Sequence, residues 1–121
     1  MQDLPTAAEL VEAVREFLER DVFPELEGRR RFHTRVAMNV LGIVERELLL
    51  GGEADAGERE RLARLLPGGA APDRSLGELN VELATAIRDD SLGASRVELV
   101  AHLRATLRDK LAIANPRYIA G

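Results

Sequence analysis

The polar residues with potential for binding or catalysis stand among apolar residues that recur at helical spacing. Asn39 lies beside Val36 and Val40 in this pattern, and Asn80 directly follows Leu79. An amide in such a position is partly buried and needs hydrogen-bond partners, which come either from a neighbouring helix or from a bound ligand. The pattern favours a polar contact between helices, and a ligand contact is the alternative.

A line of polar residues marks one side of the second predicted helix. Arg35, Asn39 and Arg46 occupy positions i, i+4 and i+11, and Gly42 lies at i+7 in the same line. Glycine inside a helix costs about 1 kcal/mol relative to alanine, which favours close approach of another helix or, alternatively, room for a ligand. A ligand beside these guanidinium groups would be an anionic metabolite such as a phosphate or an acyl-CoA. The residues predicted to line such a pocket are His33, Arg35, Asn39, Arg46, Asn80 and Lys110.

A second polar line, on the last predicted helix, contains His102, Thr106 and Asp109. A histidine and an aspartate can act as a base and its orienting group, but His102 and Asp109 are two helical turns apart and do not reach each other directly. The sequence has no cysteine and no serine in a nucleophile-elbow setting. Its two histidines, His33 and His102, show neither HxxxH nor ExxH spacing. We therefore predict no catalytic residue, no metal and no cofactor.

The helices that position these residues begin at capping boxes, in which Ser or Thr is followed three residues later by Glu. Such boxes start at Thr6, Ser75 and Ser95, and each precedes apolar residues at helical spacing. Gly51-Gly52 indicates the end of the second helix, and no segment alternates like a strand. The sequence predicts an all-α fold, a single five-helix bundle that forms one domain over residues 1–121. The helices are expected at residues 6–22, 28–50, 54–66, 76–89 and 95–114, with a loop at 67–73.

The widest apolar stripe lies on the second predicted helix. Its members are Phe32, Val36, Val40, Ile43 and Leu48, and further apolar residues widen it. A stripe of this width predicts a central helix that contacts several neighbours. Small domains with such stripes often complete their core through a helix of a partner, so we expect a homodimer.

Composition argues against several classes of protein. Aromatic residues make up only 3% of the chain, which leaves no stacking platform for single-stranded nucleic acid. The net charge is −4 and the sequence pI is about 5.3, a poor match to a nucleic-acid-binding surface. No apolar run has the length of a membrane span, and the N-terminal segment is acidic where a signal peptide is basic. We expect no binding to nucleic acid or membranes and a cytoplasmic protein.

Two stretches of the sequence resemble a family of proteins. Residues 32–47, FHTRVAMNVLGIVERE, form the first, residues 110–118, KLAIANPRY, form the second, and AVREFLE at residues 13–19 adds to them. Together they resemble a bacterial family of small all-helical proteins of unknown function, encoded near aminoglycoside-phosphotransferase-like kinases and acyl-CoA dehydrogenases. The resemblance implies an accessory protein that works with such an enzyme, and it implies no reaction and no catalytic residue.

These observations lead to two expectations. The first is a non-catalytic accessory or interaction protein, a homodimer that acts with a neighbouring phosphotransferase-like or acyl-CoA dehydrogenase-like enzyme. Asn115, Arg117 and Tyr118 directly follow the last predicted helix, and they are the candidate residues for contact with a partner. The alternative is a small-molecule-binding protein or enzyme that has the anionic pocket described above.

Overall fold

The computed structural model describes the backbone of residues 4–67 and 73–120, and this part of the chain contains helices and turns but no strand. Helix α1 spans Ala7–Phe17, and the chain continues through a π-helical turn, Leu18–Val22, and a 3-10 turn, Phe23–Glu25. Helix α2 spans Gly28–Leu65, α3 spans Leu76–Arg88, α4 spans Arg96–Ala114 and α5 spans Pro116–Ala120. The prediction of an all-α fold with five helices is confirmed. None of the described helices is long and apolar enough to cross a membrane.

The helix starts follow the capping boxes. At the start of α1, the Thr6 hydroxyl accepts a hydrogen bond from the Glu9 backbone N–H at 3.2 Å, and the Glu9 carboxylate accepts one from the Thr6 N–H at 3.1 Å. The same reciprocal pair joins Ser75 and Glu78 at the start of α3. In both cases the backbone N–H that donates to the carboxylate lowers the pKa of the glutamate. Helix α4 likewise begins directly after Ser95.

The boundary predicted between the second and third helices is wrong. Helix α2 continues through Gly51 and Gly52 without a break, so the two predicted helices are one. A glycine at the end of a helix commonly adopts a positive φ, and neither of these glycines does. Gly51 is buried, and a Cβ there would lie 2.6 Å from Oε1 of Glu47. Because Gly51 has no side chain, the carboxylate of Glu47 can lie against the backbone of its own helix at this position.

A fifth helix lies where the sequence suggests a tail. Helix α4 ends at Ala114 as predicted, and Pro116 occupies the first position of α5, where its missing N–H costs nothing. The Tyr118 N–H donates to the Asn115 carbonyl at 3.0 Å. The number of helices thus agrees with the prediction, but the second and third predicted helices are one helix, α2, and the fifth helix is the unpredicted α5. Most of the loop predicted at residues 67–73 lies outside the described residues.

The contacts within the chain group it into two compact units. Unit 1 contains the residues up to Gly51 and those from Ala112 onward, and unit 2 contains Gly52–Leu111. The boundaries between the units fall inside α2 and inside α4. The prediction of one domain over the whole chain stays a prediction.

Unit 2 is built around buried leucines. Leu62 and Leu66 from the end of α2 pack with Leu79 and Leu83 from α3, and Leu99 from α4 packs against them. Leu62 and Leu79 have no exposed surface. Positions 79 and 83 are one helical turn apart and share a face of α3, so the buried side of this helix comes from the apolar residues at helical spacing that follow Ser75.

We predict that Leu79→Ala destabilises the protein by about 2–5 kcal/mol, because it removes a fully buried side chain and leaves a cavity. The matched control is Val81→Ala on the same helix, where the side chain is 68% exposed and the expected loss is below about 0.5 kcal/mol. Urea denaturation followed by circular dichroism measures both free energies of unfolding. Equal losses for the two variants would contradict the core described above.

Candidate functional site

Unit 1 presents a row of exposed apolar side chains along α2. Phe32, Val36, Val40, Ile43 and Val44, here called the α2 stripe, are 63%, 44%, 50%, 36% and 41% exposed. In the described part of the chain, the apolar side chains that are buried all belong to unit 2. Four of these residues belong to the stripe that the sequence assigns to a central helix contacting several neighbours, and the fifth member of that predicted stripe, Leu48, is 48% exposed. The predicted stripe therefore faces solvent in the single chain.

The chain covers the other side of α2 in unit 1. Met38 and Glu45 are partly covered there, and Nε of Arg15 on α1 donates to Glu45 Oε2 at 2.9 Å. This charge-assisted bond raises the pKa of Arg15. Two residues correspond to about 200° of rotation in an α-helix, so Val40 points away from the side on which Met38 lies. Helix α1 is thus held opposite the α2 stripe and leaves it open.

A cleft of about 670 Å³ lies within unit 1. Arg15 in this cleft is neutralised by Glu45 at 2.9 Å and Glu19 at 3.5 Å. Arg46 and Arg117 make no ion pair with any described residue, so two cations of the lining are available to an anion. The polar lining of the cleft consists of Arg15, Glu19, Asn39, Glu45, Arg46, Asn115 and Arg117.

Gly42 makes room for one of these cations. A Cβ at position 42 would lie 3.3 Å from Nη1 of Arg46, so the guanidinium packs against bare backbone one turn earlier. Nε of Arg46 donates to the Ile113 carbonyl at 2.7 Å, which is among the last carbonyls of α4 and has no partner inside that helix. The sequence pattern favours close approach of a second helix to Gly42. In the structure, the close neighbour of Gly42 is instead a side chain of its own helix.

The structure brings two of the six predicted ligand residues to this cleft. Asn39 and Arg46 line it, together with Asn115 and Arg117, which the sequence suggests as contacts for a partner. Tyr118, the third suggested contact, is 72% exposed. The tail therefore does not pack this ring on the described part of its own chain.

Two other predicted ligand residues, His33 and Arg35, make contacts near the start of α2. Arg29 Nε donates to Nε2 of His33 at 3.3 Å. The guanidinium groups of Arg31 and Arg35 lie 4.0 and 5.2 Å from the centre of the Phe23 ring, which are cation–π contacts. Arg31 also donates to the Phe23 carbonyl at 3.2 Å. Arg31 and Arg35 thus hold the turn before α2, away from the cleft.

The last two, Asn80 and Lys110, belong to unit 2. Nδ2 of Asn80 donates to Glu58 Oε2 at 2.9 Å and to the Leu76 carbonyl at 2.9 Å. Glu58 is 9% exposed, and its carboxylate therefore needs such a donor. Asn80 makes the polar contact between helices that the sequence favours, and Lys110 is exposed.

Arg61 joins a polar cluster in unit 2 that sequence reasoning missed. Its Nε donates to Nδ1 of His102 at 3.0 Å, and its Nη2 donates to Thr106 Oγ1 at 3.1 Å and lies 4.0 Å from Oδ2 of Asp109. The three residues that it contacts are the polar line of α4. This polar line was the one sign of the cluster in the sequence. The positions of the arginines along α2 do not distinguish Arg61 from its neighbours Arg59 and Arg64.

His102 in this cluster is held in its neutral form. The residue is 3% exposed, and burial lowers its pKa, with a further lowering from the Arg61 charge and an opposing effect of Glu58. Arginine can only donate hydrogen bonds, so Nδ1 is the acceptor and the neutral ring carries its proton on Nε2. Protonation of Nδ1 would break the bond to Arg61 and place two cations in contact. The arrangement suits a structural role better than proton transfer.

Comparison with known families places most of the chain in a family. Residues 24–118 match the domain of unknown function DUF6285. The chain belongs to this family. The matched residues include the α2 stripe, the cluster around Arg61 and all of the polar cleft lining except Arg15 and Glu19. No curated protein and no solved structure matches the chain.

We predict that His102 makes the protein less stable in acid. Its pKa is lower in the folded than in the unfolded chain, so the unfolded chain binds the proton more readily. The free energy of unfolding therefore falls as the pH drops below about 6.5 and stops falling once the folded pKa is passed. Urea denaturation between about pH 8 and pH 5 measures this loss, and His102→Gln is expected to reduce it.

The variant His33→Gln is the matched control, because it removes the other imidazole of the chain, which is exposed. The assignment to His102 fails if His102→Gln loses as much stability in acid as the wild type, or if His33→Gln reduces the loss to the same extent.

Proposed function

We propose that this protein is a non-catalytic interaction protein that works as a homodimer. The observation that carries the proposal is the α2 stripe, five large apolar side chains at helical spacing that are 36–63% exposed. Single exposed apolar residues are common on soluble proteins, whereas a row along one helix face is typical of a surface that another chain covers. The stripe lies within the part of the chain that matches the family.

The packing of unit 1 supports association. Its described contacts between α1 and α2 include the Arg15–Glu45 ion pair, and partly exposed ion pairs contribute little to stability. Covering a Val, Ile or Phe side chain contributes about 1.5–3 kcal/mol when the burial is complete. A partner on the α2 stripe would supply unit 1 with the apolar burial that unit 2 obtains from its own leucines.

The proposal extends to a second protein, an enzyme that the homodimer assists. The sequence resemblance supports this extension by naming the class, a phosphotransferase-like or acyl-CoA dehydrogenase-like enzyme. The exposed Tyr118 and its neighbours Asn115 and Arg117 are the residues proposed to contact it. Co-purification of the chain with one such enzyme, compared with a Tyr118→Ala variant, tests the extension.

We predict that Val40→Asp weakens the homodimer by at least about 100-fold in Kd, because it places a charge in the middle of an apolar interface. Light scattering after size exclusion, over a range of protein concentrations, measures the mass of the particle. Val81→Asp is the control, since Val81 is 68% exposed and belongs to unit 2. The proposal would be contradicted if the wild type stays monomeric at high concentration, or if the Val81→Asp variant dissociates as much as the Val40→Asp variant does.

A second candidate function, binding of a small anion, is favoured by the cleft of unit 1. Arg46 and Arg117 make no ion pair among the described residues, and Asn39 and Asn115 add amide donors to the same cleft. Guanidinium groups and amides are suited to phosphate and carboxylate oxygens. The volume of about 670 Å³ falls in the range of small-molecule sites.

We predict that inorganic phosphate or coenzyme A binds this cleft and that Arg117→Gln weakens binding by about tenfold or more, the loss of one charged hydrogen bond. Isothermal titration calorimetry measures both affinities. Arg104→Gln on α4 is the control, because it removes an exposed arginine that does not line the cleft. This second function would be contradicted if neither phosphate nor coenzyme A binds, or if Arg104→Gln weakens binding as much as Arg117→Gln does.

A further inference from the structure

We propose that two copies of the chain pair their α2 helices antiparallel, around a twofold axis level with position 38. The proposal rests on the homodimer described above and adds its geometry. It follows from the positions of two charged residues, Arg29 and Glu47, relative to the apolar side chains between them.

Arg29 and Glu47 lie on the midline of the α2 stripe. Seven residues separate Arg29 from Val36 and eleven separate it from Val40, which are rotations of about 20° to either side. Glu47 follows Arg29 by eighteen residues, which is about five whole turns, so it points in the same direction. The stripe is therefore an apolar row with a cation at one end and an anion at the other.

Neither charge is neutralised within its own chain among the described residues. Arg29 donates through Nε to His33 and makes no ion pair there. The Glu47 carboxylate lies along its own helix beside Gly51 and likewise makes none. Arg29 also sits in the first turn of α2, where the helix dipole disfavours a cation. A carboxylate from another chain would give Arg29 an ion-pair partner and would offset its unfavourable interaction with the helix dipole.

A second copy of the same chain supplies that carboxylate only when the helices are antiparallel. Around a twofold axis level with position 38, a residue n positions before 38 stands level with the residue n positions after 38 in the other copy. Arg29 then stands level with Glu47 of the second copy, and symmetry forms the same pair at the other end. A parallel pair in register would instead place Arg29 level with Arg29 and Glu47 level with Glu47.

The same register pairs the apolar residues of the α2 stripe. Val36 stands level with Val40 of the second copy, and Phe32 stands level with Val44 of the second copy. Two apolar contacts of each kind therefore lie between the two charge pairs. Helix α1 leaves this surface open, because the Arg15–Glu45 bond holds it on the opposite side of α2.

Disulfide trapping tests the register directly, since the chain has no cysteine of its own. Val36→Cys and Val40→Cys are made as separate proteins, one with a tag that changes its mobility on a gel. A disulfide needs Cα atoms about 4.4–6.8 Å apart. In the antiparallel pair, residue 36 is level with residue 40 of the other copy, so a disulfide between them spans only the separation between the helices. The two copies of residue 36 are also displaced from each other by about 6 Å along the helix axis, which takes them out of disulfide range.

The mixture of the two proteins is expected to give the mixed disulfide at least about ten times faster than either protein alone gives its own. Light scattering of each variant under reducing conditions first establishes that it still dimerises. If the variants dimerise but each one cross-links to itself and the mixture gives no preferential mixed product, the antiparallel register is overturned while the homodimer stands. If the wild type is a monomer, both proposals fall.

Charge reversal provides a second readout that needs no cross-link. Arg29→Glu and Glu47→Arg alone are each expected to weaken the dimer by about tenfold, and the double variant is expected to restore it to within about threefold. In a parallel pair, charge reversal at one position would merely exchange one like-charge contact for another, and the double variant would restore nothing. Arg30→Glu, an exposed neighbour of Arg29 outside the midline, is the control.

Discussion

Arg15 on α1 and Glu45 on α2 are joined by a charge-assisted hydrogen bond of 2.9 Å, with side chains 28% and 15% exposed. This contact joins α1 to the side of α2 that the chain covers in unit 1. Because α1 lies on the side of Met38 and Glu45, the α2 stripe stays open. The cleft of unit 1 includes the same two charged residues in its lining.

The two units are stabilised by different physical means. In unit 2, leucines from three helices exclude water, and the buried polar groups His102 and Glu58 are each paired with a donor. In the described part of unit 1, the apolar side chains are at most half-buried, and those of the α2 stripe are exposed. Burial of apolar surface is the larger source of stability, so the proposed dimer would give unit 1 what its own chain does not provide.

Local signals in the sequence predicted the starts of α1, α3 and α4. The reciprocal hydrogen bonds at Thr6 and Ser75 depend only on residues three apart, so a capping box can be recognised without any tertiary information. Gly51 misled the prediction because a glycine pair is compatible with a helix when a neighbouring side chain, here Glu47, occupies the space that a Cβ would take. The candidate site was less predictable. The polar line of α4 was visible, but its partner Arg61 lies 41 residues from His102 along the chain.

By itself, the sequence determined the all-α class, the helix starts that follow the three capping boxes and the existence of a wide apolar stripe on α2, since these depend on neighbours within a few turns. The tertiary structure decided which side of α2 the chain covers, where Arg46 and Arg61 find their partners, and which predicted ligand residues share a cleft. Helical periodicity shows that a stripe needs to be covered, but it does not show by what. That depends on where distant residues such as Arg15 and Ile113 lie relative to α2.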